Sequence, residues 1–283
     1  MGKANKVKGE LSDANEMVTL IQTLKDIADN KFFTLINDKD KFRRFGETFV
    51  EFFRLISFSK VNHPLIRNDN PTVGILVVTG EGSFLGEFNN KIFRLALTES
   101  EKHEKYKFIG VGEKCTDRLV RYTPDLKVFT GIDIARIYEL AVDVKDFLVK
   151  QIMEEKIGKV IVAYSWPKTF DLQKPRITKL MPCDDLLAKQ AQFVQQIENV
   201  IEESDPGDII GYLANLWLTT RLYEIFMDTI IAASAAQSQF LDDSLDKMKK
   251  EQVKVKMKYR KAKKGDIDKS LRETFSARMM TVS

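Results

Sequence analysis

The stretch LDDSLDKMKKEQVKVKMKYRKA, residues 241–262, decides the fold of this chain. Its inward-facing candidates recur at alternating steps of four and three: Leu241, Leu245, Met248, Gln252, Val255, Tyr259 and Ala262. A spacing that averages 3.5 residues keeps one stripe of a helix against a partner helix, as in a coiled coil. The C-terminal part of the chain is therefore predicted to be a long coiled-coil helix, with its pattern interrupted at Gly265.

The N-terminal part of the chain shows the same kind of spacing. Its apolar residues Met17, Ile21, Leu24 and Ala28 step by four, three and four. All seven prolines lie between Pro64 and Pro206, so neither end contains the residue that breaks helices. Two long helices that pair as a coiled coil are predicted, and ordinary amphipathic helices on separate globular cores are the alternative.

The middle of the chain, from Pro71 to about Ala188, has a different period. Short β-branched runs alternate with helical stretches, which is typical of an α/β fold. The predicted strands are residues 73–78, 107–111, 127–130, 159–164 and 176–180. The clearest predicted helix, residues 133–156, has an apolar stripe of Ile137, Leu140, Val144, Leu148 and Ile152. Because the strands are almost continuously apolar, a sheet covered on both faces is expected.

Composition excludes several classes of protein. With 283 residues, 43% hydrophobic and 30% charged, the chain is of the folded rather than the disordered class. Its longest apolar runs are far shorter than the ~20 residues that cross a bilayer. The start, MGKANKVKGELS, lacks the apolar core of a secretory signal, which predicts a bacterial or archaeal cytoplasmic protein. Cys115 and Cys183 are too few for a disulfide framework and are interpreted as structural.

The segment TGEGSFLGEFNN, residues 79–90, is the strongest candidate for a phosphate-binding loop. Gly80, Gly82 and Gly86 follow a predicted strand and precede a predicted helix. The spacing matches neither G-x-G-x-x-G nor a P-loop that ends in Gly-Lys-Ser or Gly-Lys-Thr, and Glu87 would repel phosphate. A tight turn is therefore the favoured interpretation, and nucleotide binding is the alternative.

The remaining titratable residues do not form a catalytic pattern. Two adjacent acidic pairs, Asp184 with Asp185 and Asp242 with Asp243, do not converge on one helix face. His63 and His103 have no serine, cysteine or carboxylate partner in a recognisable motif. The chain is predicted not to be an enzyme, and no cofactor or metal is expected.

Positive charge is concentrated between Lys247 and Lys264, where ten lysines and arginines face a single acid, Glu251. Such a helix would be attracted to an acidic collar or to a polyanion. Nucleic acid is the less favoured partner, because Tyr259 is the one aromatic residue in this run that could stack on a base.

The end of the chain is similar to a known family. YRKAKKGDIDKSLRETF, residues 259–275, resembles the Y-N-K-A-R-Q-x-x-I-T-x-E-L signature of the gamma subunit of F-type rotary ATP synthases. Residues 73–93 resemble the family's V-x-x-L-V-V-[ST]-D-[RK]-G-L-C-G-x-L-N-x-x-[IL]-F, with one residue inserted in the loop. Shorter similarities occur at His63, at residues 108–114 and 177–182, and at Ile27, Ala28 and Lys31. All of them follow the family order.

The chain also departs from the family pattern. Residues 233–241, ASAAQSQFL, lack the glutamate and arginine of the family's S-E-x-A-A-R-M, and no A-T-D-N follows. Arg260 and Lys264 replace an asparagine and a glutamine, and the loop lacks the basic residue before Gly82. A divergent gamma subunit is expected.

The resemblance implies an α/β fold class with an inserted domain. A Rossmann-like α/β domain, residues 70–190, would lie between an N-terminal coiled-coil helix, residues 1–62, and a C-terminal one, residues 205–283. The two helices would form an antiparallel coiled coil, the rotor shaft of the central stalk. The subunit would catalyse nothing itself, and would couple proton or sodium flow to ATP synthesis or hydrolysis.

The resemblance also implies partners and contact residues. The partners would be the alpha and beta subunits of the catalytic hexamer, an epsilon-like subunit and the membrane c-ring, without nucleic acid. Lys263 and Lys264 match positions that engage a beta-subunit catch loop, with Lys31 on the opposing helix. The segment with Gly82, Gly86 and Glu87 would face an acidic beta-subunit lever.

Two alternatives stay open at this point. A coiled-coil adaptor of a specialised F-type-like ATPase would bind alpha- and beta-like subunits without an ion-conducting ring. An enzyme whose α/β domain binds a nucleotide would show saturable binding by the isolated chain. The main hypothesis places the protein at the cytoplasmic side of the bacterial membrane, as a peripheral subunit.

Overall fold

The computed structural model describes residues 3–53, 63–183 and 205–281, which contain five helices and five strands. The helices are α1 (Lys3–Phe53), α2 (Gly86–Ser100), α3 (Lys114–Leu119), α4 (Ile137–Met153) and α5 (Pro206–Thr281). The strands are β1 (Val73–Val78), β2 (Tyr106–Val111), β3 (Lys127–Phe129), β4 (Lys159–Pro167) and β5 (Gln173–Met181). Long helices at both ends of an α/β middle are thus confirmed.

The two long helices follow from the placement of proline. Pro206 is the first residue of α5, a position at which its missing N–H removes no helical hydrogen bond. Gly265 does not end the helix, which continues to Thr281, because a glycine inside a helix costs only about 1 kcal/mol. The apolar spacing ends there because the next inward position is the half-buried Asp266.

The five strands form one sheet in the order β3-β2-β1-β4-β5. The first four are parallel, and β5 runs antiparallel to β4 at the edge. Val73 of β1 is level with Tyr106 of β2 and Lys159 of β4. The carboxyl ends of β1, β2 and β3 therefore lie at one edge of the sheet, where the loops that follow them meet.

Both faces of the sheet are covered, as the sequence predicts. Leu76 and Val78 of β1 pack in one core with α4, whereas Val73, Ile75 and Val77 pack in a second core with α2. This alternation follows from the period of two in a strand. All five residues of the predicted α4 stripe are buried. The helix begins at Ile137 rather than at residue 133, because Asp133 to Arg136 form a turn first.

Contacts divide the chain into two compact units. The first comprises Met1–Asp29 and Gln237–Ser283, and the second comprises Asn30–Ala236. The first unit thus contains the beginning of α1 and the later part of α5, and the second contains the sheet with α2, α3 and α4. The expected domain limits at residues 62 and 190 lie outside the described residues, so the domain limits inferred from the sequence stay a prediction.

Within the first unit, the predicted seam of α5 is confirmed. Its members are all buried or half buried: Leu241, Leu245, Met248, Gln252, Val255, Tyr259 and Ala262. The helix that they face is α1, because Gln252 donates a hydrogen bond to Asn15 at 2.8 Å and Lys25 lies 3.6 Å from Asp242. The two helices run antiparallel.

The predicted seam of α1 is partly wrong. Ala28 is buried and Ile21 and Leu24 are half buried, as expected, but Met17 is 44% exposed and the neighbouring Val18 is half buried instead. The difference has a physical cause. The true seam passes through Lys25, which is held there by carboxylates, and a search for apolar spacing skips a charged residue.

Candidate functional site

The turn between β1 and α2 brings together three of the residues expected to contact a partner, Gly82, Gly86 and Glu87. Its base is fixed by the buried Asn89, whose Oδ1 accepts from the Gly80 amide at 2.9 Å and whose Nδ2 donates to the Gly80 carbonyl at 3.0 Å. Gly82 has a φ of +112°, which residues with a Cβ rarely adopt. Gly82 therefore supplies the tight turn that the sequence predicts.

Glu81 ties this turn to the loop after β3. Its carboxylate accepts hydrogen bonds from the backbone amides of Gly131 at 2.9 Å and Ile132 at 3.2 Å. Bonds to an ionised acceptor are stronger than neutral ones. The sequence interpretation assigned no role to Glu81, although an acid where the family has a basic residue was a usable signal.

We expect Glu81→Ala to lower the free energy of unfolding by about 2 kcal/mol, because two half-buried amides lose their acceptor. Urea unfolding measures the loss, and hydrogen exchange of the Gly131 and Ile132 amides should become faster. Glu87→Ala is the matched control, with an expected change within about 0.5 kcal/mol. Equal midpoints and unchanged exchange in the two variants would show that Glu81 does not hold the turn.

The outer part of the turn is exposed. Glu87 lies in the first turn of α2 and forms an exposed ion pair with Lys91 at 3.0 Å, which contributes little to stability. Phe84, which the sequence interpretation did not single out, is 46% exposed and has a φ of +67°. This surface therefore offers a partner both an apolar group, the exposed Phe84 ring, and a negative charge, the Glu87 carboxylate.

The basic run of α5 lies in the first unit, and its ten cationic side chains between residues 247 and 264 are all exposed. Lys263 and Lys264 are adjacent on this helix, one turn from the half-buried Tyr259. Glu251 pairs with Lys254 at 3.1 Å and neutralises only one of the cations. The helix therefore presents a dense positive surface that can attract carboxylates before contact is made.

Lys31 lies on α1 in the second unit, whereas Lys263 and Lys264 belong to the first. Lys31 is exposed and precedes Phe32 and Phe33, whose rings contact Phe170 of the β4–β5 hairpin at 5.0 and 5.7 Å. These rings fix α1 to the hairpin beside Lys31. The geometry therefore gives three separate candidate surfaces: the β1–α2 turn, the basic run and Lys31.

The titratable residues outside these surfaces have structural surroundings. Asp242 pairs with Lys25, Asp243 is exposed, and the Asp184–Asp185 pair lies outside the described residues. Burial lowers the pKa of His63, and its Nδ1 accepts from the Leu65 amide at 3.2 Å. In the parts of the chain that the structure describes, no three histidine, cysteine or acidic side chains are grouped as a metal would need.

Cys115 and Cys183 are both buried and unpaired with each other. Burial raises the pKa of the Cys115 thiol to about 12, so the thiolate that reacts with oxidants is scarce. This agrees with the structural interpretation of the two cysteines. Among residues 3–53, 63–183 and 205–281, no helix combines the length and the apolar character that a bilayer span requires.

A family model described as "ATP synthase" matches residues 3–278. The ATP synthase gamma chain of Picosynechococcus sp. is 24% identical over 229 residues, which cover 71% of this chain and 73% of the relative. The gamma chain of Lachnoclostridium phytofermentans is 20% identical over 274 residues, which cover 94% and 91%. The match therefore spans the coiled coil as well as the α/β part.

Solved structures show the same fold. A chain of the Euglena gracilis mitochondrial ATP synthase, from its OSCP/F1/c-ring structure, has a TM-score of 0.63 at 13% identity over 98% of this chain and 94% of that one. A chain of the Tetrahymena thermophila mitochondrial ATP synthase central stalk and c-ring has a TM-score of 0.57 at 16% identity over 80% and 99%. Family model, relatives and fold agree, and the chain belongs to the ATP synthase family as a divergent gamma chain.

Proposed function

We propose that this gamma subunit is the rotor shaft that couples proton or sodium flow through a membrane ring to ATP synthesis or hydrolysis in an alpha/beta hexamer. The observation that carries this proposal is the antiparallel pairing of α1 and α5 in the first unit. The similar Euglena chain comes from a structure of the OSCP, F1 and c-ring assembly, which supports the same partners for this chain.

The work of such a subunit is mechanical. A shaft whose sides differ contacts each beta subunit differently, and only a difference in contact free energy can shift the conformations of the catalytic sites. The two helices of the coiled coil have unlike surfaces: α5 carries a dense positive run, whereas α1 also exposes the acids Glu10, Asp13, Glu16 and Asp26. These supply the asymmetry that the mechanism needs.

Each candidate surface has a proposed partner. Lys263 and Lys264 engage carboxylates of a beta-subunit catch loop, and Lys31 makes a further charged contact. Gly82, Gly86 and Glu87 face the beta-subunit lever, and an epsilon-like subunit and the c-ring are further partners of the chain. The exposure of all six residues supports these assignments. The protein would be held by its complex at the cytoplasmic side of the bacterial membrane.

A mild-detergent pull-down of the tagged chain from native membranes, with mass spectrometry of the retained proteins, tests the proposal. Recovery of alpha, beta, epsilon-like and ring subunits is the expected result. Recovery of alpha- and beta-like subunits without ring subunits would overturn it in favour of an adaptor that is not coupled to an ion-conducting ring.

We expect Lys263→Glu combined with Lys264→Glu to lower ATP turnover of the assembled complex about fivefold or more, because two attractive contacts become repulsive. Circular dichroism should show unchanged helix and sheet content, since both side chains are exposed. Lys249→Glu with Lys250→Glu is the matched control, with the same charge change on the same helix. Equal losses in both variants would assign the effect to net charge and reject the two named lysines.

A further inference from the structure

Three side-chain contacts between α1 and α5 in the first unit share one register. Gln252 donates to Asn15 at 2.8 Å, Lys25 lies 3.6 Å from Asp242, and Ser238 donates to Asp29. In each pair the two residue numbers add to 267. Residue i of α1 therefore lies opposite residue 267 − i of α5 along this part of the coiled coil.

The apolar seam alone does not fix this register. Its residues recur every seven positions on α5, so sliding one helix by a heptad again places apolar residues opposite apolar residues. On α1 the seam is also weak, because Leu11, Ala14, Val18 and Ile21 are only half buried. Several staggers would thus bury comparable apolar surface.

The charged residues of the seam do distinguish these staggers. A slide by one heptad in one direction places Lys25 opposite Lys249 and Asp29 opposite Leu245. The opposite slide places Asp29 opposite Ile231. Like charges repel, and an Asp29 carboxylate placed against an aliphatic side chain loses its hydrogen bond from Ser238, although it keeps the one from Lys25 within α1. Each slide therefore replaces a satisfied polar contact with an unsatisfied one.

Polar contacts within the cluster are well formed in the observed register. Lys25 donates to Asp29 at 3.0 Å, this hydrogen bond raises the pKa of Lys25, and the side chains are only 22% and 25% exposed. Ser238 is buried. In the second unit, the Lys39–Asp228 ion pair also has residue numbers that add to 267. A heptad slide there would bring Lys39 opposite Arg221.

We infer that Lys25, Asp29, Ser238 and Asp242, named the register lock, hold α1 and α5 at a single stagger by excluding the one-heptad slides. A polar residue in an otherwise apolar seam is known to select register in coiled coils at little gain in stability. This inference concerns the chain alone and does not depend on the proposed function.

The stagger decides which cations of the two helices lie side by side. In the observed register, Lys3 and Lys6 of α1 lie level with Lys264 and Lys261 of α5, and all four are exposed. A one-heptad slide would displace them by roughly 10 Å, at 1.5 Å per residue. The register lock thus sets the charge pattern that a partner meets near Lys264.

Cysteine pairs in the full-length chain report the stagger. Gln252→Cys is combined with Asn15→Cys for the observed register, with Lys8→Cys for one slide and with Gln22→Cys for the other. Each purified variant is treated with a short bismaleimide, and the unmodified chain is the blank because its native cysteines are buried. With the lock intact, the Asn15→Cys pair alone is expected to cross-link.

Removal of the lock by Lys25→Leu with Asp29→Leu is expected to raise cross-linking of the two slide pairs at least tenfold, with helix content by circular dichroism unchanged. Lys6→Leu with Asp13→Leu makes the same chemical change at exposed positions of α1 and should leave only the observed-register product. Cross-linking confined to the observed pair in both backgrounds would overturn the inference. So would slide products in the native background.

A directional variant keeps the inference testable if the double leucine variant does not fold. Lys25→Glu with Asp29→Leu opposes the native contact with Asp242 and favours the slide that brings residue 25 opposite Lys249. The Gln22→Cys and Gln252→Cys pair should then be the main product. A main product from the observed register would contradict the lock.

Discussion

Lys39→Met is expected to lower the free energy of unfolding by about 3 kcal/mol at neutral pH, because it leaves a buried carboxylate without its cation. Asp228 lies in α5 within the second unit and is 7% exposed, and its ion-pair partner is Lys39 of α1. The methionine keeps most of the aliphatic stem of lysine, so the loss reports the missing charge. Urea unfolding of the full chain measures it.

The loss is also expected to depend on pH. Burial raises the pKa of Asp228 above its ordinary value of 3.8, and Lys39 opposes this shift, so removing Lys39 raises the pKa further. A carboxyl group with a higher pKa in the folded state stabilises the fold below its unfolded pKa and loses this contribution as pH rises through the folded pKa. The variant should therefore approach the parent in stability as pH is lowered from neutral into the acid range in which Asp228 becomes protonated.

Asp228→Asn in the Lys39→Met background is the control. The double variant has no charge at the site, so it should recover most of the lost stability and lose the pH dependence. Glu224 and Arg221, which also act on Asp228 from the same helix, are unchanged in all variants. If Lys39→Met unfolds at the same urea concentration as the parent across this pH range, the ion pair does not stabilise the fold.

Gly112→Ala is expected to cost about 3 to 4 kcal/mol, from backbone strain and from overlap in a packed site. Gly112 follows β2 with a φ of +107°, and a Cβ there would lie 2.2 Å from Thr79 Oγ1 and 3.1 Å from the Thr79 carbonyl oxygen. Thr79 cannot easily turn away, because its hydroxyl donates to the Val111 carbonyl at 3.1 Å. Thermal or urea unfolding measures the effect.

Gly82→Ala separates the two causes. Gly82 has a similar φ of +112°, but a Cβ there would have no atom within 4 Å. Its replacement should cost about 1 to 2 kcal/mol from backbone strain alone. The difference between the two variants gives the cost of the overlap with Thr79. Equal losses would show that the packing at Gly112 relaxes without penalty.

Sequence periodicity predicted the fold wherever one kind of side chain covered a whole face. The α4 stripe and the five strands were predicted from their apolar inward residues. The seam of α5 was predicted because the alternation of four- and three-residue spacings continues through seven positions. The predicted α1 seam was wrong at Met17 and did not include Lys25, a charged side chain that takes an inward position. The spacing of apolar residues does not reveal an inward charged residue; its partner carboxylates must be known first.

The residues of the candidate site also divide into those predicted from the sequence and those that were missed. Gly82, Gly86 and Glu87 were predicted as contact residues from the family resemblance, and that role stays a prediction; the structure places them in one exposed turn. Glu81 was missed because its partners are backbone amides 50 residues away, although an acid in place of the family's basic residue was a usable signal. Asp228 was missed although an aspartate within the apolar run FMDTIIAA indicates a buried carboxylate that needs a cation.

Glu81 also affects whether an anionic ligand can bind at the carboxyl edge of the sheet. In open α/β sheets, ligands bind beyond the carboxyl ends of the strands, where backbone amides donate to anionic groups. At that edge of this sheet, the amides of Gly131 and Ile132 already bind a carboxylate of the chain itself. The Glu81 carboxylate is tethered to the chain, so its effective concentration at these two amides is roughly in the millimolar range or above. A free anion at a lower concentration competes poorly for the same amides. An edge at which other open α/β sheets bind ligands thus holds a carboxylate of the chain itself, which favours a structural role for this edge over ligand binding.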